Sequence, residues 1–127
     1  MTAFRRAPAD RALDETRLAH LWAQLGPAGF RRLVNRFAPA SKVELERLDS
    51  ALATGRVDPV RAAAHRIAGF AANFGADRLA RLARDIEAHP DDAEARVAGL
   101  RDAVTASEIA LDADVARRCA AESEPTE

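Results

Sequence analysis

From Leu18 to Val115 the apolar residues of this chain recur three and four positions apart, and the runs break at Gly26-Pro27, Gly55, Gly75 and His89-Pro90. That spacing follows the 3.6-residue turn of an α-helix and reads as helix throughout. Asp14 is a candidate N-cap for a short first helix carrying Leu18, Leu21, Trp22 and Leu25, which Gly26-Pro27 stops. A longer run follows from about 28 to 53, with Phe30, Leu33, Val34, Phe37, Leu45, Leu48 and Leu52 at helical spacing. Pro39 kinks this run or divides it in two. Asp58-Pro59 then reads as an N-cap followed by proline at the first helical position, opening a third helix that Gly75 ends near residue 74. A fourth helix over about 76–88 turns Leu79, Leu82, Ala83 and Ile86 inward. Asp91 or Asp92 caps a fifth, over about 93–120, with Val97, Leu100, Val104, Ile109, Leu111 and Val115. Connections of a few residues favour antiparallel neighbours. The expectation is an all-α fold, an up-down-up-down four-helix bundle with a short N-terminal capping helix. It forms a single domain over residues 1–121, followed by a short acidic tail over 122–127.

Composition narrows the class further. The chain has 127 residues, enough for one modest core. Apolar residues make up 48%, largely alanine, and aromatics only 5%, which suits close helix packing. A net charge of −1 offers no basic field for nucleic acid. Lys42 is the only lysine and Cys119 the only cysteine, so one chain can build neither a disulfide framework nor a zinc site. No stretch approaches the roughly 18–20 apolar residues of a membrane span, and the first ten residues lack the apolar run of a signal peptide. A soluble, cytoplasmic protein is expected, with no membrane partner.

His65 stands out against this background. On a helix over 59–74, Val60, Ala63, Ile67, Phe70, Ala71 and Phe74 form one broad core-facing side. His65 projects roughly opposite Ile67 and Phe74, among Arg61, Ala62, Ala68, Gly69 and Ala72. All but Arg61 are small, so the ring stands clear. Gly69 lies one turn beyond His65, although an interior glycine costs ~1 kcal/mol against alanine. Its missing side chain leaves room for something large to approach the imidazole. A solvent-facing neutral imidazole can attack an activated phosphoryl group directly through its free lone pair. Arg61 and Arg66, both within reach on the same helix, could neutralise part of the charge on the transferring oxygens. No carboxylate cluster is evident beside His65. The remaining polar and aromatic residues have plainer readings. His20, His89 and Asp91-Asp92 are structural, Trp22 and Phe30 pack the first helix, and Asn73 caps a helix end.

The segment A-A-H-R-I-A-G-F-A-A-N-F-G-A-D-R-L-A-R-L-A-R-D-I-E, from Ala63 to Glu87, resembles the signature of histidine phosphotransfer (HPt) domains of bacterial multistep phosphorelays. There the active histidine is followed by a hydrophobic residue two on and a glycine four on. A small-residue stretch then ends in Gly-Ala before a leucine-rich helix. The matching residues are His65, Ile67, Gly69, Gly75-Ala76, Leu79 and Leu82. L-D-E-T-R-L-A-H-L-W-A-Q-L-G resembles the family's first helix. The resemblance implies that His65 is the phosphoacceptor, exchanging phosphoryl groups with aspartates of receiver domains on a hybrid histidine kinase and on response regulators. It also implies a phosphoryl-transfer intermediate without kinase activity of its own. No cofactor belongs to this chain, since Mg²⁺ in such systems sits on the receiver, and a monomer suffices. The receiver is expected to dock around Ala62, Ala68, Gly69 and Ala72. The chain departs from the family at Ala68, where a lysine three residues after the histidine usually helps to hold phosphate. Substitution by Arg61 or Arg66 is expected.

Three other readings compete. One is a degenerate HPt-like bundle that binds receivers without transfer. A sensor-kinase dimerisation pair is disfavoured, because His65 is followed by Arg66 and by no proline at the expected distance. DNA binding is disfavoured by the net charge and by arginines spread along the chain.

Overall fold

The computed structural model describes residues 11–123. They are helical almost throughout, with no strand among them. The elements are α1 (Glu15–Asn35), α2 (Phe37–Ala53), α3 (Val57–Asn73), α4 (Asp77–Ala88), a 3₁₀ turn (Pro90–Asp92) and α5 (Ala93–Ser123). The N-terminal ten residues, on which the signal-peptide reading rests, lie outside the described residues, as does the acidic tail beyond Ser123. Glu122 is still helical.

Local chemistry accounts for most of the boundaries. Asp14 caps α1 as expected: its carboxylate accepts from the Arg17 backbone N–H at 3.1 Å. At Gly26 the backbone leaves the helix (φ 71°, ψ 175°) and Pro27 restarts it, so the anticipated stop is a sharp kink within α1. The next break comes at Arg36, three residues earlier than Pro39 itself. The reason is the proline, which has no N–H for the Asn35 carbonyl and whose ring crowds it. Pro39 therefore sits in the first turn of α2, where no donor is needed. Helix α3 begins at Val57, slightly before the expected Asp58-Pro59 cap. Asp58 lies inside the first turn, where a carboxylate suits the positive end of the helix dipole. Gly75 (φ 68°) makes the turn into α4. A Cβ there would meet Leu18 at 3.2 Å, so this glycine also allows α1 to lie close. The Gly75 carbonyl accepts from the Asp14 N–H at 2.8 Å, which ties the start of α1 to that turn.

Helices α2, α3, α4 and α5 each pack on the next, α5 returns to α2, and α1 lies mainly on α5. Leu48, Ile67, Leu79, Ile86, Leu100 and Leu111 fill the middle and are essentially inaccessible. Each contributes roughly 1.5–3 kcal/mol by burial. Phe37, Phe70 and Phe74 cluster with centroids 5.0–5.5 Å apart. Trp22 and Phe30 meet edge to face at 5.5 Å, as packing residues. Buried alanines, including Ala64, Ala71, Ala80 and Ala83, let α3 and α4 approach closely. Two expected core residues face out instead: Leu25 is exposed beside the Gly26 kink, and Ile109 is 65% exposed. The buried stripe of α5 runs Leu100, Val104, Ser107, Leu111 and Asp114. Ile109, about 200° from its neighbours Ser107 and Leu111, falls on the opposite side. No helix among the described residues is long and apolar enough to cross a membrane.

Candidate functional site

Helix α3 buries Val60, Ala63, Ala64, Ile67, Ala68 and Ala71. That stripe leaves the His65 side chain 76% exposed, facing out beside α4. The imidazole Nδ1 lies 2.8 Å from Oε2 of Glu87 on α4. An ionised carboxylate can only accept, so the proton of this bond is on Nδ1. The Nε2 lone pair has no protein partner among the described residues. Read along α3 alone, His65 has no carboxylate beside it; Glu87, reaching across from α4, corrects that.

His65, Ala68, Gly69, Ala72, Arg84 and Glu87 line an open hollow of about 300 Å³ between α3 and α4. No atom would lie within 4 Å of a Cβ on Gly69, so the glycine keeps the surface low beside the ring and answers no packing demand. Ala62, Gly69 and Ala72 are exposed, as expected, although Ala62 does not line the hollow. Ala68 departs from expectation. It is 6% exposed, because three residues past His65 the helix has turned towards α4. It floors the hollow instead of standing on the open face. Arg61 and Arg66 do not line the hollow. Arg61 pairs with Asp58 one turn back, at 3.4 Å. Arg66 reaches Glu44 on α2, at 3.3 Å, on another side of α3.

Glu87 and Arg84 are the residues that linear reading passed over. Three apart on α4, they share one helix face. A signal existed in the hairpin: folding the sequence about Ala76 pairs residue 65 with 87, 68 with 84 and 72 with 80. Only the first of these pairs carries complementary hydrogen-bonding groups.

Other candidate sites are weaker. A hollow of about 400 Å³ between the Gly55 turn and the 3₁₀ turn is lined by no histidine, cysteine, serine or threonine. Asp92 is paired with Arg96 at 3.6 Å. No cluster of metal-ligating side chains occurs among the described residues. Asn73 accepts from Arg17 Nε through its backbone carbonyl, at 3.3 Å, next to the end of α3.

No curated protein sequence and no solved structure shows significant similarity to the chain. The model of the Hpt domain family matches residues 32–117. That span runs from the second half of α1 into α5 and includes both walls of the His65 hollow. An exposed histidine four residues before a glycine, on a helix that turns through Gly75 into a leucine-rich partner, is thus carried within a family match covering most of the chain, which belongs to the Hpt domain family.

Proposed function

We propose that His65 accepts a phosphoryl group from the aspartate of a receiver domain, in a hybrid kinase or a response regulator, and passes it to the aspartate of another. Family membership implies a histidine-containing carrier in a phosphorelay. The observation that supports His65 in that role is the Nδ1–Glu87 bond, which leaves the outward nitrogen as the nucleophile. In the forward step the Nε2 lone pair attacks phosphorus, the Nε2–P bond forms, and the P–O bond to the aspartate breaks. The aspartate leaves as carboxylate. The ring keeps its Nδ1 proton and becomes cationic, and the Glu87 carboxylate balances that charge across the existing hydrogen bond. The return step reverses these changes towards a second receiver.

The hollow supports in-line approach. Ala68, Gly69 and Ala72 present no bulk beside the ring, and positioning of attacking and leaving atoms supplies much of the catalysis in phosphoryl transfer. Further, we read the packing order α2–α3–α4–α5 as an up-down-up-down bundle with α1 capping it. The chain is read as acting as a monomer, with receiver domains as partners and without nucleic acid.

The test is transfer from radiolabelled phospho-receivers to the wild type beside His65→Gln. Acid-labile, base-stable label on the wild type alone is expected. Equal label on both would refute His65 as acceptor. Binding without label on either would favour a bundle that docks receivers only.

A further inference from the structure

We infer that Arg84 holds the phosphoryl oxygens on His65, in the role that the sequence suggested for Arg61 or Arg66. This rests on the carrier reading of His65 and adds to it the residue that neutralises the phosphoryl charge. Four observations carry it. Arg84 is the only arginine or lysine lining the hollow, which it shares with His65 and Glu87. It lies one helical turn from Glu87, the residue that orients the ring, on the same face of α4. Among the described residues it makes no ion pair or hydrogen bond, whereas Arg61 and Arg66 are both held by carboxylates. Finally, the antiparallel pairing about Ala76 sets Arg84 opposite Ala68, whose methyl group leaves the space above it open for a long side chain to cross.

The charge arithmetic explains why a cation is needed. Before transfer the hollow holds one carboxylate and one guanidinium. Phosphorylation of Nε2 adds a dianionic group and makes the ring cationic. Glu87 answers the ring, and without Arg84 nothing lining the hollow answers the phosphoryl oxygens. A guanidinium presents its N–H donors as a planar fork that fits two oxygens of a phosphoryl group at once. An arginine without a carboxylate partner needs no existing pair broken before it does so.

The experiment uses the full chain and phosphoramidate, a small-molecule donor that removes the partner from the measurement. Nε2 attacks phosphorus, the N–P bond of the donor breaks, and ammonia leaves. Loading rate, phosphohistidine lifetime and the pH titration of the ³¹P resonance are compared for wild type, Arg84→Gln, Arg84→Lys, Arg61→Gln, Arg66→Gln and His65→Gln. With Arg84→Gln the loading rate is expected to fall about tenfold, as for loss of a charge-assisted hydrogen bond. The ³¹P titration should move to higher pH, because a neighbouring cation favours the dianion. Arg84→Lys should restore most of both, and Arg61→Gln and Arg66→Gln should match the wild type. The titration shift reports charge at the phosphoryl group, which a merely structural defect does not move, and an unchanged thermal melt confirms the fold. Wild-type behaviour of Arg84→Gln, or an equal loss in Arg61→Gln or Arg66→Gln, overturns the assignment while leaving the carrier reading intact. A wild type that fails to load, or label on His65→Gln, overturns both.

Discussion

Asp114 on α5 and Glu87 on α4 each bind nitrogen donors, and they do so under opposite conditions. Asp114 is fully buried, with one oxygen taken by Arg117 and the other by Arg118 Nε at 2.7 Å. Arg118 also reaches Glu15 at 3.4 Å and lies over the Phe30 ring at 5.9 Å, so the group ties α5 to α1. Glu87 is 31% exposed and meets one ring nitrogen of a histidine that is itself mostly in solvent. Both oxygens of Asp114 are paired inside the protein. Around Glu87 the other histidine nitrogen and the Arg84 guanidinium remain available to a ligand. The contrast teaches that a charged cluster marks a candidate site through the valences it leaves open, and burial with full pairing argues for structure.

His65→Gln carries the largest expected effect. It should abolish phosphoryl labelling while changing stability by no more than about 0.5 kcal/mol, as for an exposed position. Labelling and a urea melt on the same preparation check both halves. Asp114→Ala should do the reverse. Loss of a buried, doubly paired carboxylate is expected to cost about 2 kcal/mol, moderated because Arg117 can turn to water. A shift of the urea midpoint with labelling at the wild-type rate would show it. Glu87→Ala should slow labelling about tenfold, since the ring loses its orienting acceptor and its counter-charge. Stability should stay within about 0.5 kcal/mol, and a melt that falls with the rate would make Glu87 a structural residue like Asp114. Smallest is Gly69→Ala. Its Cβ enters open space within a helix, so a gain of about 0.5–1 kcal/mol is expected. Gly69→Phe at the same place should keep helicity and block transfer from a receiver domain, which needs the low surface, more than from phosphoramidate.

Much of this molecule is legible in the sequence. The exposed face of His65 followed from the phase of Ile67 and Ala71 on the same helix, and Asp14, Gly26-Pro27 and Gly75 announced their caps and turns. Each depends on neighbours within one or two turns, where 100° per residue and backbone sterics leave little freedom. The failures were of two kinds. Ile109 faces out against its apolar character, because the buried stripe of this long helix is held by Ser107 and Asp114, polar residues that composition alone places outside. Ala68 reads as part of the open face because its position on α3 alone does not reveal how closely α4 covers it.

The helices, most of their ends, the family signature and the exposure of His65 are written in spacing along one chain. Tertiary structure decided what surrounds the histidine. Glu87 and Arg84 lie 22 and 19 positions after His65, and only the antiparallel packing of α4 on α3 brings them into the hollow beside it. The same packing seats Ala68 against α4, while Arg66 is drawn away to Glu44 on α2 and Arg61 back to Asp58. Which charges pair is settled by distances of a few ångströms between elements. Spacing along one helix cannot encode those distances, because they depend on how closely its neighbours approach and on which partner each side chain meets there.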